Sequence, residues 1–169
     1  MAPWGDTLTC RAPAWPSAVG DDGTPFEFSL SLGAAPELRV LVEPLGSTPS
    51  LDSNRETALA LLASLSRDHE IDLERFELVR DLFVPEQSRG SFAICLAVGF
   101  SAARPPQFKI YLDPGAHGKH LVAGVIEEAL VRLGLNSCRS RYRRTLRDGS
   151  PGSWPAWRMI ASDVSWLTS

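Results

Sequence analysis

Glu27, Arg39, Lys109 and Tyr111 are the residues whose types could act together on one charged reaction. An arginine presents a planar fork of donors and a lysine a compact positive charge, so the pair suits an anion with several oxygens, such as a diphosphate. A tyrosine adds a ring face that stabilises a cation and a hydroxyl that donates to the same anion. A carboxylate at a distance from the cations is placed to act as a base.

These residues fall in segments that alternate. In Phe26 to Leu32 and Leu38 to Glu43, the positions of Glu27, Arg39 and Glu43 share one face while apolar residues line the other, and Phe108 to Pro114 repeats the scheme. Strand side chains alternate between faces, so if the apolar face packs on a core the charged set borders whatever lies on the opposite side. Pairing the first two strands tightly around Gly33-Ala34-Ala35-Pro36-Glu37 sets Ser31 opposite Arg39, with Glu27 four residues further along, roughly 13 Å away at strand rise. By alternation alone, Glu27 and Arg39 equally fit the solvent face of an ordinary half-buried sheet.

Helical spacing of Leu59, Leu62, Ala63 and Leu65 predicts a helix over Arg55 to Asp68, and Phe76, Val79, Leu82 and Phe83 predict a second from Leu73 that stops at Pro85. Ser91 to Ser101 reads as a third strand, with Phe92, Ile94, Leu96, Val98 and Phe100 on one face and the small Ala93, Cys95, Ala97 and Gly99 on the other. A link through Ala102-Ala103-Arg104-Pro105-Pro106 leads to the fourth strand, followed by a helix from about His120 to Leu133. Two strands, helices, two strands and a helix, with no glycine-rich phosphate loop, give an α+β fold: an antiparallel sheet backed by helices. Residues 1–25, rich in proline, read as irregular structure that wraps or leads into the first strand.

The chain has 169 residues, 44% hydrophobic and 22% charged, and a formal net charge of -3, the composition of an ordinary globular domain. We read it as a single domain over 1–169, with residues 1–20 and 136–169 poorly defined. No apolar run suits a membrane span and the start lacks a signal-peptide pattern, so the expected location is the cytoplasm, without membrane association. Cys10, Cys95 and Cys138 are widely spaced, which argues against a disulfide framework and a zinc site. His117 and His120 read as surface or capping residues, Glu43 as a structural hydrogen-bonding residue, and Asp113 before Pro114 as a strand end. Arg139, Arg141, Arg143, Arg144 and Arg147 could contact phosphates, but the acidic balance argues against a nucleic-acid surface, and a solvated face accounts for them. Trp154 and Trp157 read as packing anchors.

The string Asp21-Asp22-Gly23-Thr24-Pro25-Phe26-Glu27-Phe28-Ser29-Leu30-Ser31, then Glu37-Leu38-Arg39-Val40-Leu41-Val42-Glu43-Pro44, then Lys109-x-Tyr111-Leu112-Asp113-Pro114, resembles in order the N-terminal half of dimethylallyltryptophan synthase-type aromatic prenyltransferases. The resemblance runs from about Ser17 to Leu135. It implies the ABBA barrel, in which antiparallel strands enclose a solvent-filled lumen ringed by helices. It also implies transfer of a dimethylallyl group from dimethylallyl diphosphate to an indole or tryptophan-type acceptor, without metal or cofactor. By the same resemblance, Glu27 assists loss of the indole proton, Arg39 and Lys109 bind the diphosphate, and Tyr111 shields the allylic cation. The Asp-Asp-x-x-Asp motif of metal-dependent prenyl synthases is absent; Asp21-Asp22 is followed by Gly-Thr-Pro.

That family's chains are more than twice this length and carry further cationic and tyrosine motifs. The last stretch, Trp157 to Trp166, loosely resembles the strand leading into the next of them. The expectation is therefore an incomplete barrel that closes by self-association or with a separate second half. The alternative is a non-catalytic remnant or small anion-binding module.

Overall fold

The computed structural model describes residues 15–17, 19–32, 36–102, 104–139 and 142. Four strands, β1 (Phe26–Ser31), β2 (Glu37–Val42), β3 (Ile94–Ser101) and β4 (Arg104–Leu112), form one sheet in the order β1-β2-β3-β4, with every neighbouring pair antiparallel. The helices are α1 (Leu51–His69), α2 (Glu74–Phe83) and α3 (Val122–Arg132), the last entered through a 3₁₀ turn at Lys119–Leu121. The element order and antiparallel pairing are those expected from the sequence; several boundaries are not.

Helix α1 begins at Leu51 rather than Arg55, because Ser50 in extended conformation caps it, its Oγ accepting from the Ser53 N–H at 3.1 Å. It ends where Glu70 adopts a left-handed φ of 54°. The proline link belongs to β4, whose pairing with β3 reaches Arg104; Pro105 and Pro106 fall at the irregularity opposite Gly99–Ser101, where neither is paired with a residue of β3. Strand β3 begins at Ile94, three residues later than expected.

The hairpin register also differs. Ser29, not Ser31, faces Arg39, and Ser31 faces Glu37. The connection is short enough for β2 to start at Glu37, so Glu27 lies two residues from the position opposite Arg39, about 7 Å rather than 13 Å along the strand.

The main core lies between the apolar sheet face and the helices. Ala58 and Leu62 of α1, Phe76, Val79 and Phe83 of α2, and Val125 and Ala129 of α3 pack with Ile94, Leu96, Ile110 and Leu112. Arg132 ties α3 to α2 through Asp81 Oδ1 at 2.6 Å, holding the Asp81 carboxyl below its ordinary range, and Arg55 ties α1 to the chain after α2 through the carbonyls of Pro85 and Glu86. Covering is uneven: Phe26, Phe28, Leu30, Leu38 and Phe100 on the same apolar face remain exposed.

Glu43 is 3% exposed and accepts from Ser17 Oγ at 2.5 Å and Asn54 Nδ2 at 3.4 Å; the Asn54 Oδ1 in turn takes the Gly46 N–H at 2.8 Å. One carboxylate thus joins the segment before β1, the end of β2 and the start of α1, the structural role expected of it. Asp113, just past β4, accepts from the Ser91 and Gly115 N–H groups. His117 Nε2 lies 3.1 Å from the Asp81 carbonyl, a surface contact, and Cys95 and Cys138 are free thiols. Cys10, the arginines beyond Arg139, Trp154, Trp157 and the stretch 157–166 lie outside the described residues. Among the described residues no helix is long and apolar enough to cross a membrane.

Phe76 is among the largest fully buried side chains, in the core cluster that draws on all three helices and the sheet. Phe76→Ala is expected to cost about 3–5 kcal/mol. A thermal melt followed by circular dichroism should show a fall in Tm of roughly 10 °C. A change within 2 °C would show that the core does not depend on this ring.

Candidate functional site

Cross-strand pairing brings the expected residues onto one sheet face. Glu27 pairs with Leu41, Leu41 with Ala97 and Ala97 with Lys109, so these four form a row across the sheet with Glu27 and Lys109 at its ends, about 14 Å apart at normal strand spacing. The adjacent row is Ser29, Arg39, Gly99 and Gln107; on the other side of the Lys109 row stand Cys95 and Tyr111. The carboxylate and the lysine are therefore at opposite margins, with Arg39 on β2 between them and Tyr111 on the same strand as Lys109.

Glu27 is exposed and makes no hydrogen bond among the described residues, leaving its carboxylate available to a ligand. Arg39 is held on two sides. Its Nη2 donates to Glu37 Oε1 at 3.3 Å, two residues back on the same strand face, and its guanidinium also hydrogen-bonds the Tyr111 hydroxyl. Its Nε is buried with no hydrogen-bond partner. A buried charged donor without an acceptor is costly, and an anionic ligand is one way to satisfy it. Gly99 permits the arrangement: a Cβ there would meet Glu37 Oε1 at 3.0 Å, so a larger residue would press on the Glu37–Arg39 pair.

Tyr111 is buried in a small second cluster with Phe92, Cys95 and Ala97, against Val19 and Leu41. Burial pushes its hydroxyl above the ordinary tyrosine value, partly offset by Arg39. The hydroxyl is thus neutral at physiological pH; its oxygen accepts from Arg39 and its proton can go to an anion. Burial also drives the Cys95 thiol far up, with help from the Glu43 and Asp113 charges, so this sulfur forms a neutral wall rather than a nucleophile.

Beside this face, at its Tyr111–Asp113 end, opens a cavity of about 720 Å³. Leu41, Phe92, Cys95 and Tyr111 form its sheet wall, Val19 covers it from the segment before β1, and Arg89 and Lys119 stand on its rim loops. It shares Leu41 and Tyr111 with the charged face but does not include Glu27, Arg39 or Lys109. Sequence reading missed Glu37, Arg89, Lys119 and Val19. Glu37 was legible as the same-face neighbour of Arg39; the loop residues Arg89 and Lys119 carried no periodic signal. Among the described residues no group of three or more His, Cys, Asp and Glu side chains could hold a metal ion.

The chain resembles solved prenyltransferases over most of its length. It is 37% identical to 6-dimethylallyltryptophan synthase from Micromonospora olivasterospora, solved in complex with DMASPP and Trp, with a TM-score of 0.74 over 86% of this chain and 41% of that one. It is 37% identical to 5-dimethylallyl tryptophan synthase from Streptomyces coelicolor, also in complex with DMASPP and Trp, with a TM-score of 0.63 over 70% of this chain and 34% of that one. The prenyltransferase PriB, in a ternary complex with L-tryptophan and dimethylallyl thiolodiphosphate, is likewise 37% identical, with a TM-score of 0.63 over 70% of this chain and 34% of its own. This sheet and its helices thus correspond to part of the ABBA prenyltransferase fold, and the chain spans about two fifths of the length of its first relative. No curated protein matches the sequence. The tryptophan dimethylallyltransferase family model matches residues 3–148, and with the ordered Glu27, Arg39 and Lys109-x-Tyr111 motifs on one sheet face, the chain belongs to the tryptophan dimethylallyltransferase family.

Proposed function

We propose that this chain supplies the donor-binding wall and the base of an aromatic prenyltransferase that moves a dimethylallyl group from dimethylallyl diphosphate to an indole ring. The observation that carries the reading is the buried, unpartnered Nε of Arg39 on a sheet face shared with Lys109, Tyr111 and Glu27. Arg39 and Lys109 bind the diphosphate and stabilise the charge that collects on it as the allylic C–O bond breaks. Tyr111 donates a hydrogen bond from its hydroxyl to the leaving group, keeping its proton, and turns its ring face to the allylic cation. The indole ring attacks the cation, forming the new C–C bond, and Glu27 takes the proton released as aromaticity returns. Diphosphate and the prenylated indole leave. Every charge in this sequence is met by a side chain of this sheet, with no step assigned to a metal, and we assign the reaction to the cytoplasm.

The lumen needs further strands. Two copies of a four-stranded sheet supply eight, the number at which a closed barrel can hold one small ligand. Self-association is therefore part of the proposal, with the exposed Phe26, Phe28 and Leu30 of β1 covered in the assembly. The exposure of Glu27 favours the second reading, an anion-binding module without a closed lumen.

Incubation with dimethylallyl diphosphate and a panel of indoles, followed by mass spectrometry and light scattering, separates the two readings. A dimer that yields prenylated product, lost in Lys109→Ala, supports the enzyme. A folded monomer that binds dimethylallyl thiolodiphosphate without turnover supports the module, and a folded sample that does neither overturns both.

Among active samples, Glu27→Gln should cut turnover by roughly a hundredfold or more while donor-analogue affinity stays within about twofold. Lys109→Ala should weaken that affinity by about tenfold. Equal loss of donor affinity in the two variants would contradict these roles.

Glu37→Gln removes the carboxylate that competes with the diphosphate for Arg39. Calorimetry should then show the analogue binding about threefold tighter, the scale of a partly exposed ion pair. Weaker binding would instead make Glu37 the residue that positions Arg39.

A further inference from the structure

We propose that β1 is a docking edge for a second copy of this chain: the two β1 strands pair antiparallel about a two-fold axis at Phe28 and join two four-stranded sheets into one. The proposal rests on the prenyltransferase reading above, which calls for further strands, and deepens it by naming the edge and the register that supply them.

The backbone phase of the hairpin fixes which groups β1 has left to offer. The Glu43 N–H donates to the Pro25 carbonyl at 2.8 Å, and the register of Phe26 with Val42 sets those two residues opposite each other. Directly bonded pairs recur at every second residue of an antiparallel ladder, so Glu27, Ser29 and Ser31 spend their N–H and C=O groups on β2. Phe26, Phe28 and Leu30 turn theirs to the outer side, where no strand lies among the described residues. Their side chains are open as well, Phe28 and Leu30 each being 62% exposed. An edge bare in its backbone and apolar in its side chains is a template for another strand.

The two edges of the sheet are not equivalent. β4 carries Pro105, Pro106 and Lys109, features that blunt an edge, whereas β1 has neither proline nor cation. Pairing of β1 with β4 of another copy would also be head to tail, and such a contact grows without limit unless its rotation closes a ring. Pairing of β1 with β1 closes at two copies.

The strand complements itself. Only residues with outward backbone groups meet in bonded pairs, so the allowed registers differ by steps of two. With Phe28 opposite Phe28, Phe26 meets Leu30 and Glu27 meets Ser29, so apolar groups face apolar groups and the carboxylates are not opposed. A slip that sets Phe26 opposite Phe28 would oppose Glu27 to Glu27, which is destabilising; the reverse slip sets Phe26 opposite Leu32, beyond the strand end. A two-fold axis of this kind stands perpendicular to the sheet, so both charged faces look the same way. The row of Gln107, Gly99, Arg39 and Ser29 then continues into Glu27 of the second copy, about 10 Å from Arg39 at normal strand spacing.

Light scattering on the whole chain and on its Phe28→Pro and Phe108→Pro variants tests this. Phe28→Pro removes an outward N–H and no bond to β2; the same alternation carried across β2 and β3 turns the Phe108 N–H to the outer side of β4, so Phe108→Pro is the matching change at the other edge. The expected result is a dimer for the unaltered chain and for Phe108→Pro and a monomer for Phe28→Pro, with matching circular dichroism spectra. Bonded pairs hold their Cα atoms about 5.5 Å apart, within reach of a disulfide. Mild oxidation of Phe28→Cys should therefore give a peptide linked through position 28 of both copies, seen by mass spectrometry, while Ser29→Cys, two residues out of step with its counterpart, gives none. If Phe28→Pro fails to fold, this cross-link carries the test by itself. A dimer that survives Phe28→Pro, a mass that climbs steadily with concentration, or a link at position 29 rather than 28 overturns this inference alone. A folded monomer for the unaltered chain overturns it together with the enzyme reading.

Discussion

The pleat of the antiparallel sheet is the constraint on which the rest depends. Side chains on neighbouring strands share a face only if the register is held, and a slip of one residue would turn Glu27, Arg39, Lys109 and Tyr111 into the core. The register is held from behind. Ile94, Leu96, Ile110 and Leu112 are gripped by three helices, and each apolar side chain fully buried there contributes about 1.5–3 kcal/mol. Packing on one face thus fixes the position of charge on the other.

Glu43 extends that control to the chain ends. It bonds Ser17 before β1 and Asn54 in α1, while its own N–H donates to the Pro25 carbonyl at 2.8 Å. The segment carrying Val19 is thereby laid over Leu41 and the Tyr111 cluster. A buried carboxylate is tolerated here because its oxygens are met by side-chain donors. The wall it builds is apolar and adjoins the charged face.

Arg39 shows how the site stores unmet demand. Glu37 and Tyr111 take part of its hydrogen-bonding capacity, and its Nε remains buried without an acceptor. The Glu37 pair keeps the guanidinium oriented at small cost, because an ion pair this exposed contributes little on its own. Tyr111, kept neutral by burial, adds a donor that does not raise the net charge. Such preorganisation matters most where charge develops in a transition state rather than in the ground state.

The sequence by itself determined the strand faces, the element order and the residues on the charged face, since alternation and helical spacing are local properties written into the side-chain order. The ordered motifs around Glu27, Arg39 and Lys109 also marked the family. Register and contact came only from tertiary structure. Ser29 rather than Ser31 faces Arg39 because packing of β2 against β3 and the helices, not the loop composition, sets where β2 begins. Pro105 and Pro106 read as a link because proline disfavours a ladder, yet the strand carries them at an irregularity in its pairing with β3. The joining of the loops that carry Arg89 and Lys119 was invisible because it runs through the Ala116 carbonyl and the buried Asp113, and long-range closure of that kind leaves no period in the chain.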